Sequence, residues 1–391
     1  MQPIPNSIAA MQPELTEWRR DFHKHPELGY EETRTAGIIA EKLRSWGLDE
    51  VATGLGKTGV VGVLHGKNGP GRPILLRSDI DALPMPEETG AEHASVHEGR
   101  MHACGHDGHA TMLLGAAKHL SETRNFDGTV YFCFQPAEEF GAGAQAMIED
   151  GLFERFPAEE VYGMHNWPGA KAGTFAVSPG PVMASADEFT IEIRGSGGHA
   201  AQPHNACDPI VAGAQIVTAL QTIVSRKVDP LKPAVLSVTQ FHSGTAQNII
   251  PDTASIGGTM RSFHDDVTAQ LIDEMKLICV QVSTALGVTA TLKTSDVPYP
   301  ATVNDPERSE FARQVLVNLV GEENVELDRP PTMGGEDFAF MSLAKPGTFV
   351  FLGIGEDAAP LHTTKYDFND DVAPIGVAYW TNLVESALPA A

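Results

Sequence analysis

Cysteine is scarce in this chain: its 391 residues include only four, Cys104, Cys133, Cys207 and Cys279, with no framework spacing. That argues against a disulfide-stapled secreted protein and for a reducing compartment. Positive charge is also short, with 27 Lys and Arg against 51 Asp and Glu, a formal net charge of -24. Nucleic acid and anionic membrane surfaces repel such a chain, although an anionic small substrate needs only local positive charge. No apolar run is long enough to cross a bilayer. The start, Met1-Gln-Pro-Ile-Pro-Asn-Ser7, lacks the basic stretch and apolar core of a leader. Internal repeats and low-complexity segments are missing too. The expectation is a cytoplasmic protein with neither nucleic acid nor membrane as partner.

What is present is ordinary globular composition, 42% hydrophobic and 20% charged, over a length that calls for two domains. Apolar spacing predicts helices over 14–25 (Leu15, Trp18, Phe22) and 33–46 (Ile38, Ile39, Leu43), the second closed by Gly47. Strand-like runs follow at 60–64, 74–76, 130–134 and 161–164, with a helix over about 108–120 between them. Polar residues at strand ends in an alternating pattern predict an α/β sheet with its site beyond the carboxyl edge. The character changes near Met183. Strand 188–194, helix 210–224, strands 234–241 and 253–261, helix 267–286 and strand 288–293 spell the split β-α-β-β-α-β order of a ferredoxin-like module. Residues 348–353 and 372–386 again read as strand and helix of an α/β core, so the module is an insertion. Boundaries of 1–183, 184–296 and 297–391 follow.

One segment imitates a phosphate loop. Gly54-Leu-Gly-Lys-Thr-Gly59 lacks the required glycine at Val51 and is followed by a strand instead of a helix, so it is a Gly-rich turn.

The chemistry concentrates in Met101-His-Ala-Cys-Gly-His-Asp-Gly-His109. Cys104 and His106 can point at one ion because Gly105 lets the backbone bend between them. His102 and His109 stand too close for all of them to ligate, and His109 reads as a support or packing residue. Glu138 and Glu139 end an apolar strand; one can bind metal while the other moves protons. His165 and His362 are weak signals individually, each sitting just past a strand or loop end. Asp81 is the candidate carboxylate for orienting a ligating imidazole. Thiol, imidazole and carboxylate donors suit zinc or a neighbouring divalent transition metal.

Taken in order, His25-Pro-Glu-Leu-Gly29, Asp79-Ile-Asp-Ala-Leu-Pro84, Cys104-Gly-His-Asp107, Gln135-Pro-Ala-Glu-Glu139, Met164-His165, Gly198-His-Ala200, Gln247-Asn-Ile-Ile-Pro251, Gly334-Gly-Glu-Asp337 and Leu361-His362 span essentially the whole chain. Together they resemble the family of aminoacylases and carboxypeptidases with a two-metal site, in its hippurate hydrolase and indoleacetyl-amino-acid hydrolase branch. The resemblance implies a zinc-peptidase-like α/β catalytic domain with an inserted ferredoxin-like dimerisation (lid) domain. It implies metal ligands at Cys104, His106, Glu139, His165 and His362, Glu138 as general base, and Asp81 orienting the site. Two divalent ions per subunit (Zn, Mn, Co or Ni) are expected. A homodimer or higher homo-oligomer would bring His199 to the partner's oxyanion, with Asn248 and Arg261 as substrate-binding candidates. The wider family has a metal-binding histidine where Asp79 stands, so this ligand set is that of the cysteine-containing branch. The implied reaction is hydrolysis of an N-acyl amino acid to a carboxylic acid and a free amino acid. The alternatives are an N-acetyl-diamino-acid deacetylase and a metal-free amidase with Cys104 as nucleophile.

Overall fold

The computed structural model describes residues 4–390; the first three residues, part of the stretch read for a leader, lie outside them. Two compact units emerge. The first takes the chain up to Val182, then Val303–Pro330 and the residues from Asp337 on; the second takes Met183–Thr302 and Pro331–Glu336.

Helices α1 (Gln12–Lys24) and α2 (Thr33–Ser45) open the first unit. On α1, Leu15, Trp18 and Phe22 are buried at the predicted spacing, and so are Arg19 and His23 on the same side. Strands β1 (Glu50–Leu55) and β2 (Gly59–His65) form a hairpin whose connection is the Gly-rich segment. Then come β3 (Pro73–Asp79), helix α3 (His106–Thr123), β4 (Thr129–Gln135) and β5 (Glu160–Pro168). β4 is buried along its whole length because it lies between β2 and β3, which is why it reads as an unbroken apolar run. α3 is buried almost all round, against β3, α1 and the C-terminal helix.

The second unit follows with β6 (Asp187–Arg194), α4 (Pro209–Arg226), β7 (Ala234–Ser243), β8 (Thr253–Ser262), α5 (Asp265–Ala285) and β9 (Thr289–Thr294). Its sheet order is β7-β8-β6-β9, antiparallel throughout. Ile191, Ile193, Ile216, Leu220, Ile256 and Leu271 share its separate core. Asp208 caps α4 by accepting from Ile210 N–H at 2.8 Å. The unit extends past residue 296 because Ala186 N–H donates to Tyr299 O and Tyr299 N–H to Ala186 O, at 2.9 and 2.8 Å. It takes back 331–336 through Ala184 N–H to Thr332 O at 3.1 Å.

The chain returns to the first unit with α6 (Pro306–Val320), which the sequence reading left without an element, then β10 (Gly347–Gly355) and α7 (Ala373–Ala387). The sheet runs β1-β2-β4-β3-β5-β10 and ends in two short strands, Phe175–Ala176 and Val325–Glu326. β3, β4, β5 and β10 are mutually parallel where they pair, so their carboxyl ends share one edge. Each fully buried Leu, Ile or Phe of this core contributes about 1.5–3 kcal/mol. Among the described residues no helix is long and apolar enough to cross a membrane.

Behind that edge lies a buried ionic network. His23 Nδ1 is 2.8 Å from Asp107 Oδ2, and its Nε2 is 3.3 Å from Glu87 Oε1. Burial works against its charge, but hydrogen bonds donated to Asp107 and Glu87 raise its pKa from 6.5 to about 9. This pairing therefore contributes fully below about pH 6.5 and is lost as pH rises through about 9. Urea unfolding should show a stability loss on the order of 3 kcal/mol across that window. His23→Gln should start lower and lack this alkaline component; identical pH dependence in both proteins would contradict the pairing.

Candidate metal centre

The shared strand edge brings together residues far apart in sequence. β3 ends at Asp79 with Asp81 just beyond, Glu138 and Glu139 follow β4, β5 carries His165, and His106 begins α3. His362 comes from the segment after β10. Cys104 Sγ lies 3.4 Å from His165 Nε2, and His362 Nε2 lies 3.1 Å from Glu139 Oε1. Donor atoms of Cys104, His106 and His165 lie within 4.8 Å of one another, as do those of Cys104, Glu139 and His362, and of His106, Glu138 and Glu139. Cys104, His106, Glu138 and His165 are buried, whereas His362 is half exposed and opens the cluster to solvent.

Hydrogen bonds determine which imidazole nitrogens are available. His106 Nδ1 faces Asp81 Oδ1 at 3.1 Å and His165 Nδ1 faces the Asn166 carbonyl at 2.7 Å. Those partners only accept, so each Nδ1 donates to them and Nε2 is the nitrogen turned toward the cluster, available to a metal once it gives up any proton. Asp81 also accepts from Glu139 N–H through Oδ2 at 3.0 Å, so one carboxylate orients two of the donors. Glu138 Oε1 accepts from Asp337 N–H at 3.4 Å. Ala137, immediately before, holds a left-handed φ of 51°, secured by its N–H donating to Glu32 Oε1 at 2.8 Å.

The electrostatics call for a cation. Burial, then Glu139, Glu138 and Asp79, push the Cys104 thiol well above its ordinary range. Burial also pulls His106 down, but Asp79, Asp81 and Glu139 raise it to about 10. Nevertheless, among the described residues His106 Nε2 is buried without a hydrogen-bond partner, and Glu139 Oε1 meets the His362 imidazole, 3.1 Å away but outside hydrogen-bond geometry. Orphaned buried donors and acceptors are costly. A divalent ion among thiolate, imidazole and carboxylate ligands resolves both the orphaned atoms and the crowded negative charge, so the residues fit a metal.

Three comparisons place the chain. Residues 75–386 match the model of Peptidase family M20/M25/M40. The chain belongs to this family. It is 42% identical over 383 residues to hippurate hydrolase of Campylobacter jejuni, covering 98% of each chain. It is 41% identical to N-acetyl-L-cysteine deacetylase of Bacillus subtilis, covering 98% of this chain and 89% of that one. A dinuclear metal binding peptidase of the M20 family from Bacillus subtilis superposes with a TM-score of 0.83 at 34% identity, over 97% of this chain and 99% of that one. As an M20 member the chain has the mixed α/β fold of that family and is a metal-dependent hydrolase of amide bonds.

Other histidines near the M20 centre are otherwise engaged. His109 Nε2 accepts from Asn166 N–H at 2.9 Å while its Nδ1 donates to Asp79 Oδ1 at 2.7 Å, leaving no lone pair for a metal. Asp79 is engaged as well, because its Oδ2 accepts from Arg77 Nη1 at 2.9 Å. His102 is buried with no partner for either ring nitrogen; burial lowers its pKa to about 4, so it packs as a neutral ring. His199, Asn248 and Arg261 belong to the second unit. There His199 Nδ1 accepts from Ala201 N–H at 3.0 Å, and Ala200 N–H donates to Asn248 O at 3.0 Å.

Asn166, next to His165, and Asp337, in the Gly334–Asp337 segment, carry no signal in the sequence that gives either a task. Asp337 accepts from Arg77 Nη2 at 2.9 Å, from Gln135 Nε2 at 2.8 Å and from Ala144 N–H at 2.9 Å, tying the Glu138 turn to β3 and β4. An arginine inside an otherwise apolar strand, Ile74-Leu-Leu-Arg77, was the available signal for a buried acidic partner.

Gly105 is required sterically. Its φ is 94°, and a Cβ there would collide with Asn166 Nδ2 and lie 2.5 Å from the Tyr366 hydroxyl. Gly105→Ala should cost on the order of 1–3 kcal/mol from backbone strain alone and reduce metal content. An unchanged melting temperature and full metal loading would contradict this assignment.

Proposed function

We propose that the protein hydrolyses N-acyl amino acids to a carboxylic acid and a free amino acid, with Cys104, His106, Glu139, His165 and His362 holding divalent metal. The carrying observation is the convergent donor set, with His106 Nε2 buried without a hydrogen-bond partner among the described residues and Glu138 beside it. Relatives named hippurate hydrolase and N-acetyl-L-cysteine deacetylase support the N-acyl amino acid as substrate class. The donors form more than one group of three, which supports room for a pair of ions held by these residues. The mixture of thiol, imidazole and carboxylate favours Zn, Mn, Co or Ni.

Bound there, the metal supplies Lewis acidity toward the amide carbonyl and acidifies the attacking water. Glu138 takes a proton from that water as its oxygen adds to the carbonyl carbon. The C–N bond then breaks as Glu138 returns the proton to the leaving nitrogen. Asp81 keeps His106 and Glu139 aligned throughout. His199, protonated on Nε2 because Nδ1 accepts from Ala201, donates to the developing oxyanion of the neighbouring subunit in a homodimer. Exposed apolar residues on the second unit, among them Val211, Phe241 and Ile249, support such an interface. Arg261 and Asn248 hold the free carboxylate of the amino acid, which supplies the local attraction that a net charge of -24 requires. The cysteines are free thiols, which supports the cytoplasm as location.

The rival reading makes Cys104 a nucleophile. A nucleophilic cysteine needs a depressed pKa, and here burial and Glu139 raise it, so the metal reading is favoured.

Removal of metal by a chelator should abolish hydrolysis of N-acyl amino acids, and added Mn²⁺, Zn²⁺ or Co²⁺ should restore it. Glu138→Ala should lower kcat by about 100- to 10,000-fold with metal content intact; undiminished turnover would remove Glu138 as the base. His199→Ala should lower kcat by about 100- to 1,000-fold without metal loss, and a monomeric, fully active protein would overturn the shared-site arrangement.

A further inference from the structure

Asn166 lies next to the ligand His165, is fully buried, and uses its hydrogen-bonding groups on different parts of the metal centre. Its side-chain Nδ2 donates to the Cys104 carbonyl at 2.6 Å. Its Oδ1 accepts from the Tyr366 hydroxyl at 2.8 Å. Its backbone carbonyl accepts from His165 Nδ1 at 2.7 Å, and its backbone N–H donates to His109 Nε2 at 2.9 Å. The Cys104 carbonyl can only accept, which fixes the orientation of the amide and leaves Oδ1 for Tyr366. The three segments held this way supply Cys104, His165 and His362. Tyr366 belongs to the segment of His362, and Tyr366 N–H donates to Thr363 O at 3.1 Å. His362 sits at a left-handed φ of 58°, with its N–H donating to Ala103 O at 2.8 Å. A strained backbone persists only where its surroundings over-determine it.

We propose that Asn166, locked by Tyr366, is the positioning residue that holds the Cys104 and His362 segments in register with His165, so that their donors converge on the metal. The inference rests on the metal-centre reading above. Neither side chain contributes a donor to the cluster, and both act through the backbone of ligand-bearing segments. Removing the Asn166 amide frees the Cys104 peptide to rotate about Gly105, and removing the Tyr366 hydroxyl unlocks the amide that restrains it. Loss of such supporting contacts weakens metal affinity by about 10- to 100-fold.

The test uses Co²⁺ as probe on the metal-stripped full-length protein, reading its dissociation constant and the thiolate-to-cobalt absorption band at saturation. The proteins compared are wild type, Asn166→Ala and Tyr366→Phe. Tyr366→Phe removes one hydroxyl and keeps the ring, so it decides the matter should Asn166→Ala fail to fold. The expected result is Co²⁺ binding weakened by about tenfold or more in each folded variant. The thiolate band should also be diminished or shifted at full occupancy, with the metal-free melting temperature of Tyr366→Phe within a few degrees of wild type. A Tyr366→Phe protein matching wild type in both affinity and band overturns the proposal. So does weakened binding with an unaltered band, since that leaves the Cys104 geometry untouched. A wild type that binds no Co²⁺ overturns the metal-centre reading itself, and this inference with it.

Discussion

Buried negative charge at one sheet edge is the constraint on which the rest of the first unit depends. Asp79, Asp81, Glu138 and the Cys104 thiol are all withdrawn from water at the carboxyl ends of parallel strands. Desolvation disfavours their charged forms, and their mutual repulsion adds to that cost. The protein meets part of it with its own cations and donors. Arg77, His106 and His109 hold Asp79 well below its ordinary range against the opposing effect of burial. The remainder, centred on Cys104 and Glu139, faces the imidazoles of His165 and His362, a donor set that suits a dication.

Charge balance also explains the layers of residues behind the ligands. Asp81 joins His106 to the Glu139 backbone, Asp337 joins Arg77 and Gln135 to the Glu138 turn, and Asn166 joins the segments of Cys104, His165 and His362. Each carboxylate or amide uses both of its polar atoms on different elements. The donors are therefore held by tertiary contacts between elements more than by local sequence. The strained positions Ala137 and His362 both lie at the donor cluster, where surrounding bonds offset the strain.

Much of the fold was legible because periodicity reports burial. The alternation of Phe189, Ile191 and Ile193 marks a strand with one covered face, and the unbroken run of β4 marks a central strand. α6 was not read, since its start is signalled mainly by Asp305, which accepts from Glu307 and Arg308 N–H at 2.9 Å, ahead of a weakly periodic stretch. The return of 331–336 to the second unit was equally hidden, because it depends on backbone pairing that any side chain permits.

For the site, residue chemistry singled out Cys104, His106, the Glu138–Glu139 pair, His165 and His362 as candidates, with the two later histidines weak individually, and only the family resemblance gave them roles as ligands and base. Sequence could not decide which nitrogens were free, because a tautomer depends on what faces the ring. Only the tertiary structure turned His106 and His165 with Nε2 toward the cluster, consumed both nitrogens of His109, and left His102 as a neutral buried ring. It also gave Asn166 and Asp337 their tasks, which depend on partners dozens to hundreds of residues away. The Met101–His109 stretch determined by itself that metal-capable donors are present. Which of them converge was decided by the parallel strands that bring their carrying segments to one edge.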